Sequence, residues 1–192
     1  MTVLVARTAD DFGAFHYVAD WTHPPQTGPL TQLPMAVGRA LERWLYDEAT
    51  IEIDIAGPAV TISRCSSLFY DYNFRTNDCV LLGDNLAGQL PVHLHFPIPL
   101  RSVGAAVSAV GPLGRDYLAQ CSLRLDDGSW HPLPHLPARL SRKRGGAPFM
   151  GATAPAGQGI VEAWFDVVDP ANQGGFTQVA INGLCFVPDA HP

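Results

Sequence analysis

From residue 50 onward, apolar side chains recur at every second position, and a period of two marks strands that bury one face and wet the other. Ile51, Ile53 and Ile55 alternate with Glu52 and Asp54; Gly57-Pro58 ends that run, and Val60 with Ile62 begins another. Leu90, Val92, Leu94 and Phe96 repeat the rhythm against Gln89, His93 and His95. A strand of small residues runs from Val103 to Val110, bounded by Arg101 and Gly111-Pro112. Tyr117 to Leu125 is a longer strand closed by Asp126-Asp127-Gly128, a strong turn signal. Trp130 to Leu136 reads as its hairpin partner, kept short or at an edge by proline. Ile160 to Val168 and Phe176 to Val187 complete the set.

Eighteen Gly and seventeen Pro among 192 residues suit many short strands joined by turns better than a helical bundle. One helix is expected near residues 34–47, where Pro34 fits a first turn and Val37, Ala40, Leu41, Trp44 and Leu45 recur at helical spacing. Gly38 shortens it. The expected fold is all-β: a jelly-roll β-sandwich of two antiparallel sheets with that one short helix, in a single domain spanning residues 1–192. No fixed-period repeat points to a propeller or solenoid.

A net charge of −6 argues against nucleic acid as the partner, because phosphate binding needs a Lys/Arg surface. The one basic cluster, Arg139, Arg142, Lys143 and Arg144, lies in a Pro/Gly-rich stretch and reads as a solvated loop. No apolar run approaches the roughly 18 residues of a membrane span, so no membrane partner is expected. Met1 to Ala6 meets Arg7 too soon for a signal-peptide core, which favours a cytoplasmic chain over an exported one whose leader has been removed. Cys65, Cys79, Cys121 and Cys185 match no metal spacing. Cys65 and Cys79 flank one loop and could clip it, but four buried thiols are the favoured reading.

Several short motifs in the second half belong together. Gln89 to Phe96 followed by Pro97-Ile98-Pro99-Leu100-Arg101-Ser102-Val103-Gly104-Ala105, then Ala147-Pro148-Phe149-Met150-Gly151, Ile160 to Phe165 and Phe176 to Leu184, resemble the strand pattern of bacterial β-sandwich proteins associated with PEP-CTERM sorting tails. Asp20-Trp21 is similar to that family's early Asp-Trp. The resemblance covers about residues 77–187 and implies a jelly roll shaped like carbohydrate-binding modules; it supplies no catalytic residues. This chain shows neither the leader nor the sorting helix of that family.

Three groups of residues could carry chemistry. Tyr70, Asp71, Tyr72, Asn73 and Arg75 sit in an aromatic-rich segment between two strands, offering flat apolar faces beside directional polar groups, as a sugar requires. The competing reading is that Phe69 and Phe74 plug the sandwich there. Glu162, Trp164 and Asp166 share one strand face, with Val161, Ala163, Phe165 and Val167 on the other, and form a platform for a sugar or a cation. Glu52 and Asp54 are alternating acids of the kind that usually face water. His93 and His95 form an H-x-H that could bind a divalent metal, with His16, His131 or His135 as a third ligand. A structural calcium could be held by Asp71, Asn73, Asp78, Asp84 and Asn85.

The expected function is a non-catalytic module that binds a carbohydrate or similar small polar ligand. The alternative is an enzyme on a jelly-roll scaffold, working through a His-bound metal or as a metal-free cyclase or isomerase in an apolar pocket. A third reading is a domain that assembles into a homo-oligomer through an apolar surface.

Overall fold

The computed structural model describes residues 2–14, 16–19, 21, 43–46, 51–55, 60–65, 73–75, 78–84, 92–142, 145–172 and 174–189. Thirteen strands occur among them: β1 (Leu4–Ala6), β2 (Tyr17–Ala19), β3 (Arg43–Tyr46), β4 (Ile51–Ile55), β5 (Val60–Arg64), β6 (Cys79–Asp84) and β7 (Val92–Val110). They continue with β8 (Asp116–Leu125), β9 (Trp130–Pro132), β10 (Leu136–Arg139), β11 (Phe149–Thr153), β12 (Ile160–Val168) and β13 (Gln178–Pro188). The only helical element among the described residues is one 3-10 turn, Ala9–Phe12, begun by Thr8 with Asp11 in a reciprocal cap. The chain is therefore all-β.

All strand pairings are antiparallel, and they join into one hydrogen-bonded sheet curled into a half-barrel, with the order β10-β8-β12-β7-β13-β6-β5 along its main path. The long strand β7 organises it. Its first residues, Val92 to His95, pair with β12, and Leu94 and His95 pair with β4 as well. Its later residues pair with β11 from Ser102 to Ala106 and with β13 as far as Val110. The expected pair of separate strands, broken after Phe96, is thus one strand of 19 residues. The prolines at 97 and 99, which bring no N–H, sit where β7 changes partners rather than at an end.

Curvature comes from extra residues in three ladders. On β7 the inward set changes from Val92, Leu94, Phe96 and Leu100 to Val103, Ala105, Val107 and Ala109, with the register shift falling at Arg101. On β12 the shift lies between Ile160 and Glu162, so Ile160 joins the core with Ala163, Phe165 and Val167. Val161, expected on that core face, is the bulged residue instead. On β13 it falls between Asn182 and Cys185, at Gly183 with a φ of +59°. Each bulge bends its strand and changes which parity faces inward.

The main core draws on segments from both ends of the chain, from Val3 and Trp21 through Tyr117, Phe165 and Ile181 to Phe186. Tyr117 on β8 shows the sheet closing on itself: its hydroxyl donates to the Val107 carbonyl on β7 at 3.1 Å, although the two strands are not sheet neighbours. A smaller cluster, Cys65, Phe74, Val80, Leu82 and Ala180, lies apart from that core. Cys65 belongs to it while Cys79 belongs to the main core, and all four cysteines are buried thiols, not disulfides, so the suggested clip is not made. Burial pushes the Cys121 thiol up, and Cys185 up to about 11.

The helix expected near 34–47 gives way over Arg43–Tyr46 to strand β3, which pairs with β4 through Trp44↔Ile53 and Leu45↔Glu52. A strand partner outweighs helical spacing here, because β-branched and aromatic residues are weak helix formers. Residues 34–42 lie outside the described part. No helix among the described residues is long and apolar enough to cross a membrane.

Candidate functional site

Strand β12 lies between β7 and β8, so its outward residues meet outward residues on both sides. In register, Trp164 stands opposite His93 on β7 and Ser122 on β8, and Glu162 stands opposite His95 and Arg124. The alternation that sends Val92, Leu94 and Phe96 into the core sends His93 and His95 to this outer face. The hairpin closed at Gly128 (φ +83°) then lays β9 against β8, with Trp130 opposite Arg124.

Glu162 is the electrostatic centre and is only 9% exposed. Arg124 Nη1 donates to its Oε1 at 2.7 Å, and His93 Nε2 lies 2.7 Å from its Oε2. Burial alone raises a carboxyl pKa, but the hydrogen bonds from His93 and Arg124 and their charges outweigh it and hold Glu162 below its ordinary value. An ionised carboxylate only accepts, so the proton of that contact sits on His93 Nε2.

A depressed carboxyl pKa favours the fold above the unfolded-chain value of 4.5, and the benefit disappears as pH falls through the folded value. Glu162→Gln is expected to cost about 1 kcal/mol near neutrality. Urea titrations across pH should show the gap to the native chain closing below about 4.5; a gap independent of pH would contradict this assignment.

Two indoles lie beside this ion-paired frame. The ring centroids of Trp130 and Trp164 are 4.1 Å apart at 48°, His93 meets Trp164 edge-on at 5.0 Å, and the Arg124 guanidinium sits 5.8 Å from the Trp130 ring. Trp130 is 40% exposed. Among the described residues Trp164 Nε1 and Arg124 Nε are enclosed without an acceptor. One pleat further along β12, Asp166 stands opposite Gln120. Its Oδ1 accepts from the Val167 N–H at 2.6 Å. Burial pushes the Asp166 carboxyl above its ordinary value, and that N–H offsets only part of the rise.

The structure therefore brings Glu162, Trp164 and Asp166 together with His93, as β12 alternation and β7 adjacency dictate. It does not bring Asn73 to them. Asn73 is fully buried at a φ of +67°, with its side chain directed to protein groups. Arg75 is exposed, its backbone N–H donating to Asp78 Oδ2 at 2.8 Å. Tyr70, Asp71 and Tyr72 lie outside the described residues, as do Asn85 and the side chains of Glu52 and Asp54. Phe74 does plug the fold, in the smaller apolar cluster.

No group of three or more His, Cys, Asp or Glu suited to a metal occurs among the described residues. His93 Nε2 is held by Glu162, while His131 Nε2 meets Ser129 Oγ at 2.9 Å, His135 Nε2 meets the Gln120 amide at 3.1 Å and His16 Nδ1 meets the Gly13 carbonyl at 3.1 Å. Of the calcium candidates, Asp78 accepts from Arg75 N and Asn182 Nδ2, and Asp84 accepts from Gln178 Nε2.

Trp130 and Arg124 are the site residues that sequence reasoning missed. The signal was present: a tight turn at Asp127-Gly128 fixes the register that sets Trp130 against Arg124, and β8 alternation turns Arg124 outward beside Glu162.

No family model and no curated protein matches this chain. Among solved structures, a DUF4465 family protein from Bacteroides caccae is similar over 98% of this chain and 100% of that one, with 10% sequence identity and a TM-score of 0.45. So distant a likeness carries no reading of fold or function.

Proposed function

We propose that this protein is a non-catalytic binding module that recognises a carbohydrate on the outer face of β7, β12 and β8, with Trp130 and Trp164 as the stacking surface. One observation carries the reading: the half-exposed Trp130 indole packed 4.1 Å from that of Trp164, beside a carboxylate already held by Arg124 and His93. A sugar ring needs a flat apolar face for its C–H groups and directional partners for its hydroxyls. Glu162 gripped from both sides needs no reordering when a ligand arrives, which lowers the cost of binding.

The spacing of the carboxylates also favours binding over glycoside cleavage. Glu162 and Asp166 are four residues apart on one strand, about 13 Å by the strand rise, beyond the roughly 5–9.5 Å used by paired glycosidase carboxylates. We read the curled sheet as a jelly roll whose halves share β7, in keeping with the resemblance over residues 77–187. Fold does not dictate function, so the proposal rests on the surface itself.

A thermal-shift screen against a glycan library tests it, because a ligand that prefers the native state raises its melting point. A glycan should stabilise the native chain, and Trp130→Ala should weaken that glycan about tenfold. The half-exposed position of Trp130 means the ligand-free melting point should barely move. A library in which no glycan shifts the native protein would overturn the proposal.

A further inference from the structure

Resting on that platform reading, a narrower ligand class follows from the charges around it. We propose that the platform takes an amino sugar, a pyranose whose ammonium group pairs with the Asp166 carboxylate while its ring lies on the Trp130–Trp164 indoles.

The two carboxylates of the platform are treated differently by the fold. Glu162 has a partner on each oxygen, the Arg124 guanidinium on one and the His93 ring on the other, both at 2.7 Å. Among the described residues Asp166 has no such partner, and the hydrogen bond it accepts there comes from the neighbouring Val167 N–H, to Oδ1. Oδ2 therefore keeps its full accepting capacity. The side chain is half-buried, where an unpaired carboxylate is disfavoured, and the raised pKa of Asp166 has that cause. The group facing it across β8 does not relieve it, since the Gln120 amide is directed to His135 at 3.1 Å. A ligand cation would.

Position agrees with charge. Asp166 lies one pleat from Trp164 on the same face, about 6.6 Å along the strand by the usual rise, roughly the distance from the middle of a stacked sugar ring to a substituent nitrogen beyond its edge. Tryptophan is also the aromatic ring that best attracts a cation. An acidic sugar fits poorly, because Arg124 and His93 already meet Glu162 and Asp166 would repel a carboxylate or sulfate. The overall charge of −6 favours approach of a cationic ligand as well.

The test is calorimetric titration of the full chain with glucosamine oligomers, matched N-acetylglucosamine oligomers, cello-oligomers and spermidine, just below neutral pH, where the sugar amines are charged. The native chain should bind the glucosamine oligomer at least about tenfold more tightly than its N-acetylated counterpart. Asp166→Asn, which keeps the shape of the side chain, should bring the two to near parity, and added salt should do the same. Trp164→Ala should weaken every sugar. An Asp166→Asn variant that keeps the preference overturns the proposal, as does spermidine binding as tightly as the glucosamine oligomer. Preference for N-acetylated or neutral oligomers overturns this ligand class while leaving the platform standing; binding to none of the sugars removes the platform as well.

Discussion

Replacing Gly151 with alanine is expected to cost about 3 kcal/mol or more and to lower the melting point by about 6–12 °C. Gly151 on β11 stands opposite Gly104 on β7, and the two backbones approach closely at that pair. A methyl group at Gly151 would lie 2.5 Å from the Val103 carbonyl oxygen and 2.6 Å from Gly104 Cα, both backbone atoms that cannot rotate aside. At Gly104 it would meet Phe149 Cζ at 2.7 Å and Gly151 Cα at 2.8 Å. The Phe12 and Phe149 rings, edge to face with centroids 5.7 Å apart, close over the same spot. Either alanine must push β11 from β7 or expel the rings. Calorimetric melting of both variants checks this, and a loss under 1 kcal/mol at Gly151 would mean that the strands separate easily.

Asn73→Ala should destabilise almost as much, by about 3 kcal/mol, because a buried polar group that loses its partner is costly. Asn73 Oδ1 accepts from the Ser141 N–H at 3.2 Å and the Ser141 hydroxyl at 2.8 Å, while Nδ2 donates to the Arg139 carbonyl at 3.1 Å and the Tyr117 hydroxyl at 3.3 Å. Its backbone completes the clasp, with Asn73 N–H to the Ser141 carbonyl at 3.0 Å and Gly146 N–H to the Asn73 carbonyl at 3.1 Å. Asn73→Asp should fare no better, since it sets an oxygen against the Arg139 carbonyl. Urea unfolding should show a lower midpoint, and sugar affinity should be unchanged in the folded variant. An unmoved midpoint with weakened binding would return Asn73 to the ligand.

The strands and their faces were legible wherever alternation was uninterrupted. Glu162, Trp164 and Asp166 could be placed together from period two alone, whereas the pairing of the Val103-Gly104 segment with Met150-Gly151 in one ladder could not. What alternation cannot reveal is a change in its own phase. The bulges at Arg101, Val161 and Gly183 each shift the inward set by one residue, and nothing local to Arg101 or Val161 announces it. Partners distant in sequence were equally hidden: His93 meets Glu162 across 69 residues, a contact that the H-x-H spacing does not announce. Asn73 shows the same difficulty. An asparagine among aromatics looks like a ligand group until Ser141 and Arg139, far along the chain, arrive beside it.

The shared strand β7 has a consequence for how the molecule is made and lost. Because its early residues are neighbours of β4 and β12 and its later residues are neighbours of β11 and β13, neither half can come apart without stripping partners from the other. The two halves of the described sheet are therefore expected to melt together in one transition, which calorimetry would show as a single peak. Assembly must wait until sequence-distant segments, such as Gln178 with Val110 and Phe165 with Val92, have found each other. Such non-local topology belongs to the slow folders, on a scale of milliseconds to seconds.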